Sequence, residues 1–184
     1  VERELLSPKV DRRAYVKARL LEVLYDLKLA LAMFNSGASR NAAGKAFGAV
    51  KALLSALVVE NSAKIVQGKG EEERRWYERK GYTVPTHGMK SVGLDLAQIG
   101  FTAVDFLVDK ALNLHDYQYN GFDPDFSPYR TRKEVREDIL FVVSEVLSNL
   151  KSWFQGVWDE ELEREYSDLR AKFQEFSKQP SPPP

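Results

Sequence analysis

Cysteine is missing from all 184 residues, and histidine occurs only twice. Without cysteine the chain can form no disulfide, no thiolate metal site and no cysteine nucleophile, which fits a reducing compartment and makes the cytoplasm the default expectation. Two histidines cannot close a zinc site unless several carboxylates join them, so neither metal nor cofactor is expected. An excess of charge is missing too, because 27 Lys and Arg balance 27 Asp and Glu. No broad positive field can therefore gather nucleic acid, and any such site must be local. No uninterrupted apolar run reaches the ~18 residues of a membrane span, and the opening Val1-Glu2-Arg3-Glu4 lacks a signal-peptide pattern. A soluble chain without a membrane partner is expected, and its start at Val1 rather than Met is read as the loss of a few residues.

Familiar catalytic signatures are absent as well. Gly68-Lys69-Gly70 is too short to cradle a phosphate and has no Lys-Ser or Lys-Thr ending, and no Gly-x-Ser-x-Gly occurs. Asp123-Pro124-Asp125 lacks the glycine, spacing and closing Glu of a calcium loop and reads as a turn with solvated acids. The 43% of hydrophobic residues suffices for one core. Chain length fits a single domain, since domains usually hold about 100–150 residues.

What the sequence does contain is helical periodicity. Leu20, Leu24, Leu27, Leu31 and Phe34 follow a four, three, four, three spacing that forms one helical stripe, ended by Asn35-Ser36-Gly37. Ser39 can cap a second helix carrying Ala43, Ala46, Phe47, Val50, Leu53, Leu54, Leu57 and Val58 on its apolar positions. Gly44 and Gly48 each cost that helix about 1 kcal/mol relative to Ala, so close packing or function should compensate. A charged helix is expected over 68–80. Thr86 is then placed to cap a helix running from about 87 to 110, with Val92, Leu96, Ile99, Ala103, Phe106 and Leu107 on its buried stripe.

Residues 117–129 read as an irregular aromatic loop. Thr131 and Glu134 have the capping-box spacing at the start of a long helix marked by Ile139, Val142 or Val143, Val146, Leu150 and Trp153. Gly156 predicts a kink or break. Trp158, Leu162, Tyr166, Leu169, Phe173 and Phe176 then mark a last amphipathic helix that begins on Asp159, Glu160 and Glu161, acids suited to a helix N-terminus. The expectation is all-α: an antiparallel helical bundle with an additional C-terminal helix. It comprises one domain over 1–179, with a core of about 11–153, an arm of about 157–178, and a disordered Pro-rich tail at 180–184.

Two histidine neighbourhoods could carry chemistry. His87 and Lys90 sit at an expected helix start, where free amides and the helix dipole favour an anion. Lys110 and His115 are five positions apart, about 140° around an ideal helix, and converge only if the helix ends between them.

The run from Ala43 through Leu54, Pro85-Thr86-His87, Leu114-His115-Asp116-Tyr117 and Thr131-Arg132-Lys133-Glu134, in that order, resembles the HEPN superfamily of helical bundles. The archaeal PaREP-like branch looks most similar, and the resemblance covers roughly 11–153. It implies nucleotide or RNA binding, a metal-independent ribonuclease or toxin–antitoxin role, homodimerisation and a nucleotidyltransferase partner. Ribonuclease members carry an Arg four to six residues before a His. His115 matches that His as general acid or base, but Lys110 stands in the Arg position and Ala111 in that of a polar residue. A Lys is a point charge without a bidentate fork and stabilises a phosphorane less well, which favours binding over cleavage. His115 is thus expected at a helix end, facing a polar groove with Lys110, Asn113, Tyr117 and Tyr119. A dimer interface should use the second helix, the long helix or the final arm. A non-catalytic dimeric scaffold and an unrelated small-molecule-binding bundle remain as alternatives.

Overall fold

Asp11 opens the first helix by accepting a hydrogen bond from the Ala14 amide at 2.9 Å, which satisfies a donor that the first turn cannot pair. The structure, a computed structural model, describes residues 5–180. The opening at 1–4 and the end of the Pro-rich tail at 181–184, expected to be disordered, lie outside the described residues.

Helix α1 (Arg12–Asn35) buries its whole expected stripe, from Leu20 to Phe34. It closes in a Schellman turn: the Gly37 amide donates to Phe34 O and the Ala38 amide to Met33 O, with Gly37 at φ 91°. Helix α2 (Ser39–Glu60) runs back beside it at the centre of the molecule. Its residues Leu53, Leu54 and Leu57 are fully buried, each contributing about 1.5–3 kcal/mol. Contrary to expectation, α2 is by length and composition apolar enough to cross a membrane, yet 78% of that window is buried inside the bundle, as in the core helix of a soluble protein. Ser39 also departs from expectation. It is the first helical residue and caps nothing; its hydroxyl instead meets the Tyr117 hydroxyl at 2.9 Å.

After the short helix α3 (Ser62–Val66), α4 (Glu71–Arg79) carries the expected charged stretch, and a single 3₁₀ turn follows at Gly81–Thr83. The one helix expected from 87 to 110 is in fact two, α5 (Met89–Gln98) and α6 (Val104–Asn120). Gly100, at φ 112°, ends α5 in a second Schellman turn, with its own amide on Ala97 O and the Phe101 amide on Leu96 O. Because α6 starts afresh at Val104, the apolar stripe changes phase and Phe106 is left 61% exposed rather than buried. Thr86 does not cap α5 either. Gly88, at φ 100°, is the cap residue, and no side chain bonds to the free amides.

The capping box is present: Thr131 accepts from the Glu134 amide, and the Glu134 carboxylate from the Thr131 and Arg130 amides, at the start of α7 (Arg132–Trp153). The chain breaks around Gly156 as expected, in a 3₁₀ turn at Gln155–Val157. Asp159 then caps α8 (Glu160–Lys178).

Helix α8 lies along α1 and α7. It buries Leu162, Leu169 and Phe176, and its acids meet two lysines of α1: Lys17 bonds Asp159 and Glu161, and Lys28 bonds Glu165 and Asp168. Buried Arg136 of α7 donates to the carbonyls of Phe176 and Gln179, closing the C-terminus of α8. Arg12–Glu60 with Asp26–Lys45, Arg40–Gln118 with Phe47–His115, Phe101–Trp153 with Lys110–Asp138, and Arg136–Phe176 with Lys151–Glu163 show that α1/α2, α2/α6, α6/α7 and α7/α8 run antiparallel. The protein is an all-α bundle of eight helices with no strand among the described residues. Helix α2 buries nearly all of its apolar side chains within the chain.

Candidate functional site

The continuation of α6 to Asn120 decides where its polar residues go. With no helix end between them, Lys110 and His115 stay about 140° apart and face different neighbours. This corrects the expected convergence. The Lys110 ammonium lies 2.8 Å from Asp138 of α7 and 5.8 Å from the Phe141 ring centroid. The second Asp138 oxygen accepts from the Tyr129 hydroxyl at 2.5 Å, and burial together with that carboxylate pushes the Tyr129 phenol up. Asn113 is three positions from Lys110 and shares its side of the helix rather than that of His115.

Two further expectations change. Tyr117 is 1% exposed, its ring against Phe122 and Tyr129 and its hydroxyl on Ser39, so it packs and cannot offer a face to a base. His87 is exposed in the turn before α5, and Lys90 is paired with Asp109 of α6. Neither is brought to His115. Tyr119 alone of the expected partners is, one turn along the same face.

The half-buried His115 ring stacks on Phe47 of α2, with centroids 4.2 Å apart and planes at 29°, and takes the edge of Tyr119 at 5.0 Å. Its Nδ1 is buried and has no hydrogen-bond partner. Tyr119 is 66% exposed beside it. One turn along α2 the Lys51 ammonium lies 5.6 Å from the Phe47 centroid, with no carboxylate in contact. Arg40, at the start of α2, likewise has no acid partner and donates to the Gln118 and Tyr119 carbonyls that α6 leaves open at its C-terminus. The result is an aromatic ledge flanked by two cations that no carboxylate pairs.

Next to this ledge, α1, α2 and α6 border an open cleft of about 600 Å³ lined by Asp26, Arg40, Asn41, Lys45 and Gln118 around Gly44 and Gly48, with Met33 at its side. A Cβ on Gly44 would lie 2.6 Å from the Gln118 carboxamide, and one on Gly48 would lie 3.2 Å from Asp26 Oδ2. The two glycines thus let polar side chains rest on bare helix backbone. Burial pushes the Asp26 carboxyl up from its ordinary range, against the pull of Lys45, which donates to Oδ1 at 3.0 Å. Asp26, Arg40, Asn41, Lys45 and Gln118 were not singled out from the sequence; only Gly44 and Gly48 signalled the place.

Chemically, the ledge can stack a planar ring and donate hydrogen bonds to an anion. No acid or base is hydrogen-bonded to His115 among the described residues. No group of three or more His, Asp or Glu among the described residues is placed to hold a metal ion. Asp123 uses its carboxylate to accept the Asp125 and Phe126 amides, closing the turn expected there.

No curated protein and no solved structure matches the chain. The sequence pattern of one family does match over residues 18–140, from early α1 into α7, taking in the whole ledge and cleft and leaving out α8. The chain belongs to the archaeal PaREP1/PaREP8 family.

Proposed function

We propose that this PaREP1/PaREP8 protein is a nucleotide- or RNA-binding module that uses the α2–α6 face and binds without cleaving. The observation that carries the reading is the ledge itself. His115 and exposed Tyr119 present rings between Arg40 and Lys51, in a chain whose overall charge is zero. Base stacking on such rings is tolerant of sequence and is worth about 1–3 kcal/mol per base. The resemblance to HEPN proteins points the same way. Cleavage would use His115 as general acid or base and Lys110 to neutralise the phosphate, but Lys110 is engaged by Asp138, which supports binding alone.

The test is fluorescence anisotropy with an end-labelled single-stranded RNA, in chelator, at low and moderate salt. His115→Ala and Tyr119→Ala should each weaken binding by about 5-fold or more, whereas Lys110→Ala should leave affinity unchanged and no variant should alter RNA integrity. Absence of binding by the wild type overturns the reading. Chelator-resistant cleavage lost in His115→Ala would replace it with the ribonuclease reading.

A second reading, a dimeric scaffold, is favoured by one observation. Leu94 of α5 and Phe106 of α6 are 46% and 61% exposed on packed neighbouring helices. Light scattering that shows a monomer at tens of micromolar would dispose of it.

A further inference from the structure

The cleft over Gly44 and Gly48 holds hydrogen-bonding groups that the fold leaves open. Asp26 Oδ1 is held by Lys45, but Oδ2 accepts no hydrogen bond, and the Gln118 carboxamide makes none with either of its ends. Both side chains are half-buried yet their free polar atoms are open to solvent, so a ligand can replace the water that reaches them. Burial has already pushed the Asp26 carboxyl up, and a donor that satisfies Oδ2 is worth more there than in open water.

Resting on the nucleotide-binding reading of the α2–α6 face, we propose that this cleft receives a guanine base, whose N1–H and N2 amino group donate to Asp26 and whose O6 accepts from the Gln118 carboxamide. Three considerations select guanine. A carboxylate requires donors, and among the four common bases guanine alone presents two adjacent donors beside an acceptor. Adenine would instead set a bare ring nitrogen against the carboxylate. The two groups also lie over glycines four residues apart on one helix, about 6 Å along its axis, and line the same cleft, a spacing on the scale of one base edge. Finally, the open cleft of about 600 Å³ has room for a base. Sugar and phosphate would extend toward Arg40 and Tyr119, because Gln118 is one helical turn from His115 on the same face of α6.

The experiment is displacement of a labelled mixed-sequence RNA by GMP, AMP, CMP and UMP, read by anisotropy in chelator. GMP should displace at about ten-fold lower concentration than AMP. Asp26→Asn keeps the shape but replaces an acceptor by a donor, and should reduce that preference to about three-fold or less while labelled RNA still binds. Gly48→Ala, which crowds Oδ2 from the helix side, should do the same and covers the case in which Asp26→Asn loses helicity. Equal displacement by all four nucleotides, or a GMP preference that survives both variants, overturns the guanine assignment and leaves RNA binding standing. A wild type that binds neither RNA nor any mononucleotide overturns both.

Discussion

Lys110 and Asp138 form an ion pair at 2.8 Å that ties α6 to α7, and the same carboxylate holds the Tyr129 hydroxyl. The position expected to neutralise a phosphate thus serves a partly buried structural cluster. Asp138→Ala should cost about 2–3 kcal/mol, because it leaves a buried phenol without an acceptor and Lys110 without its partner. Lys110→Ala should cost about 1 kcal/mol or less, since its side chain is 39% exposed. Urea unfolding of both variants checks this, and equal costs would contradict it.

Gly93 of α5 and Gly100 behind it should respond to Ala for different reasons. A Cβ on Gly93 would lie 2.7 Å from a Val108 methyl, so overpacking of about 1–3 kcal/mol should outweigh the helix-propensity gain of about 1 kcal/mol. At Gly100 nothing is crowded, but φ 112° is strained for an L side chain, at about 1–2 kcal/mol. Thermal unfolding in which either variant gains stability would refute the corresponding argument.

Acid should loosen α8 before the rest of the bundle. Hydrogen bonds from Lys17 hold Asp159 below its ordinary range, as those from Lys172 and Lys28 do for Asp168. A lowered folded pKa gives stability that is present above the unfolded value, near 4, and lost as pH falls through the folded one. Lys17 and Lys28 are raised in the folded state. For Lys17 the hydrogen bonds to Asp159 and Glu161 lead; for Lys28 the bonds to Glu165 and Asp168 prevail over burial. Their contribution is present below the unfolded value near 10.5 and is lost as pH rises through the higher folded one. Docking should therefore be flat from about pH 5 to 10. Hydrogen exchange corrected for intrinsic rates should show α8 amides losing protection, as pH falls below about 4, ahead of those in α2; simultaneous loss would count against the idea.

Phe176 should be the costliest single truncation in α8. Its ring is 2% exposed, meets Phe34 edge-on at 5.8 Å and lies 4.9 Å from the Arg136 guanidinium. Phe176→Ala should lose about 3–5 kcal/mol in equilibrium denaturation. A loss below about 1 kcal/mol would mean that α8 unfolds independently of the bundle.

The stripe of α1 was readable because its spacing is local: Leu20 and Leu24 need no knowledge of the rest of the chain to share a face. The α5–α6 break was not. Gly100 looks like any weakening glycine until the Phe101 amide is seen reaching back to Leu96 O, and apolar residues on both sides let the stripe be counted across it. That missed turn shifted the phase of α6 at Phe106. The α6 end expected before His115, which in fact comes only after Asn120, carried the pairing of Lys110 with His115. Asp26 and Gln118 were invisible for another reason, since they line one cleft only because α1 and α6 both pack on α2. Gly44 and Gly48 showed where neighbours come close, though not which ones.

Because α8 runs parallel to α1, the start of the first helix and the end of the last project from opposite poles of the molecule. Helix α1 has 24 residues, so these points are separated by about 36 Å. Joining them in a circular permutant would take a linker of at least about 10 extended residues, routed over the bundle's outside. Two partners or reporters fused to the two ends would be held apart by the length of the protein itself, with α1 and α8 acting as a rigid double strut between them.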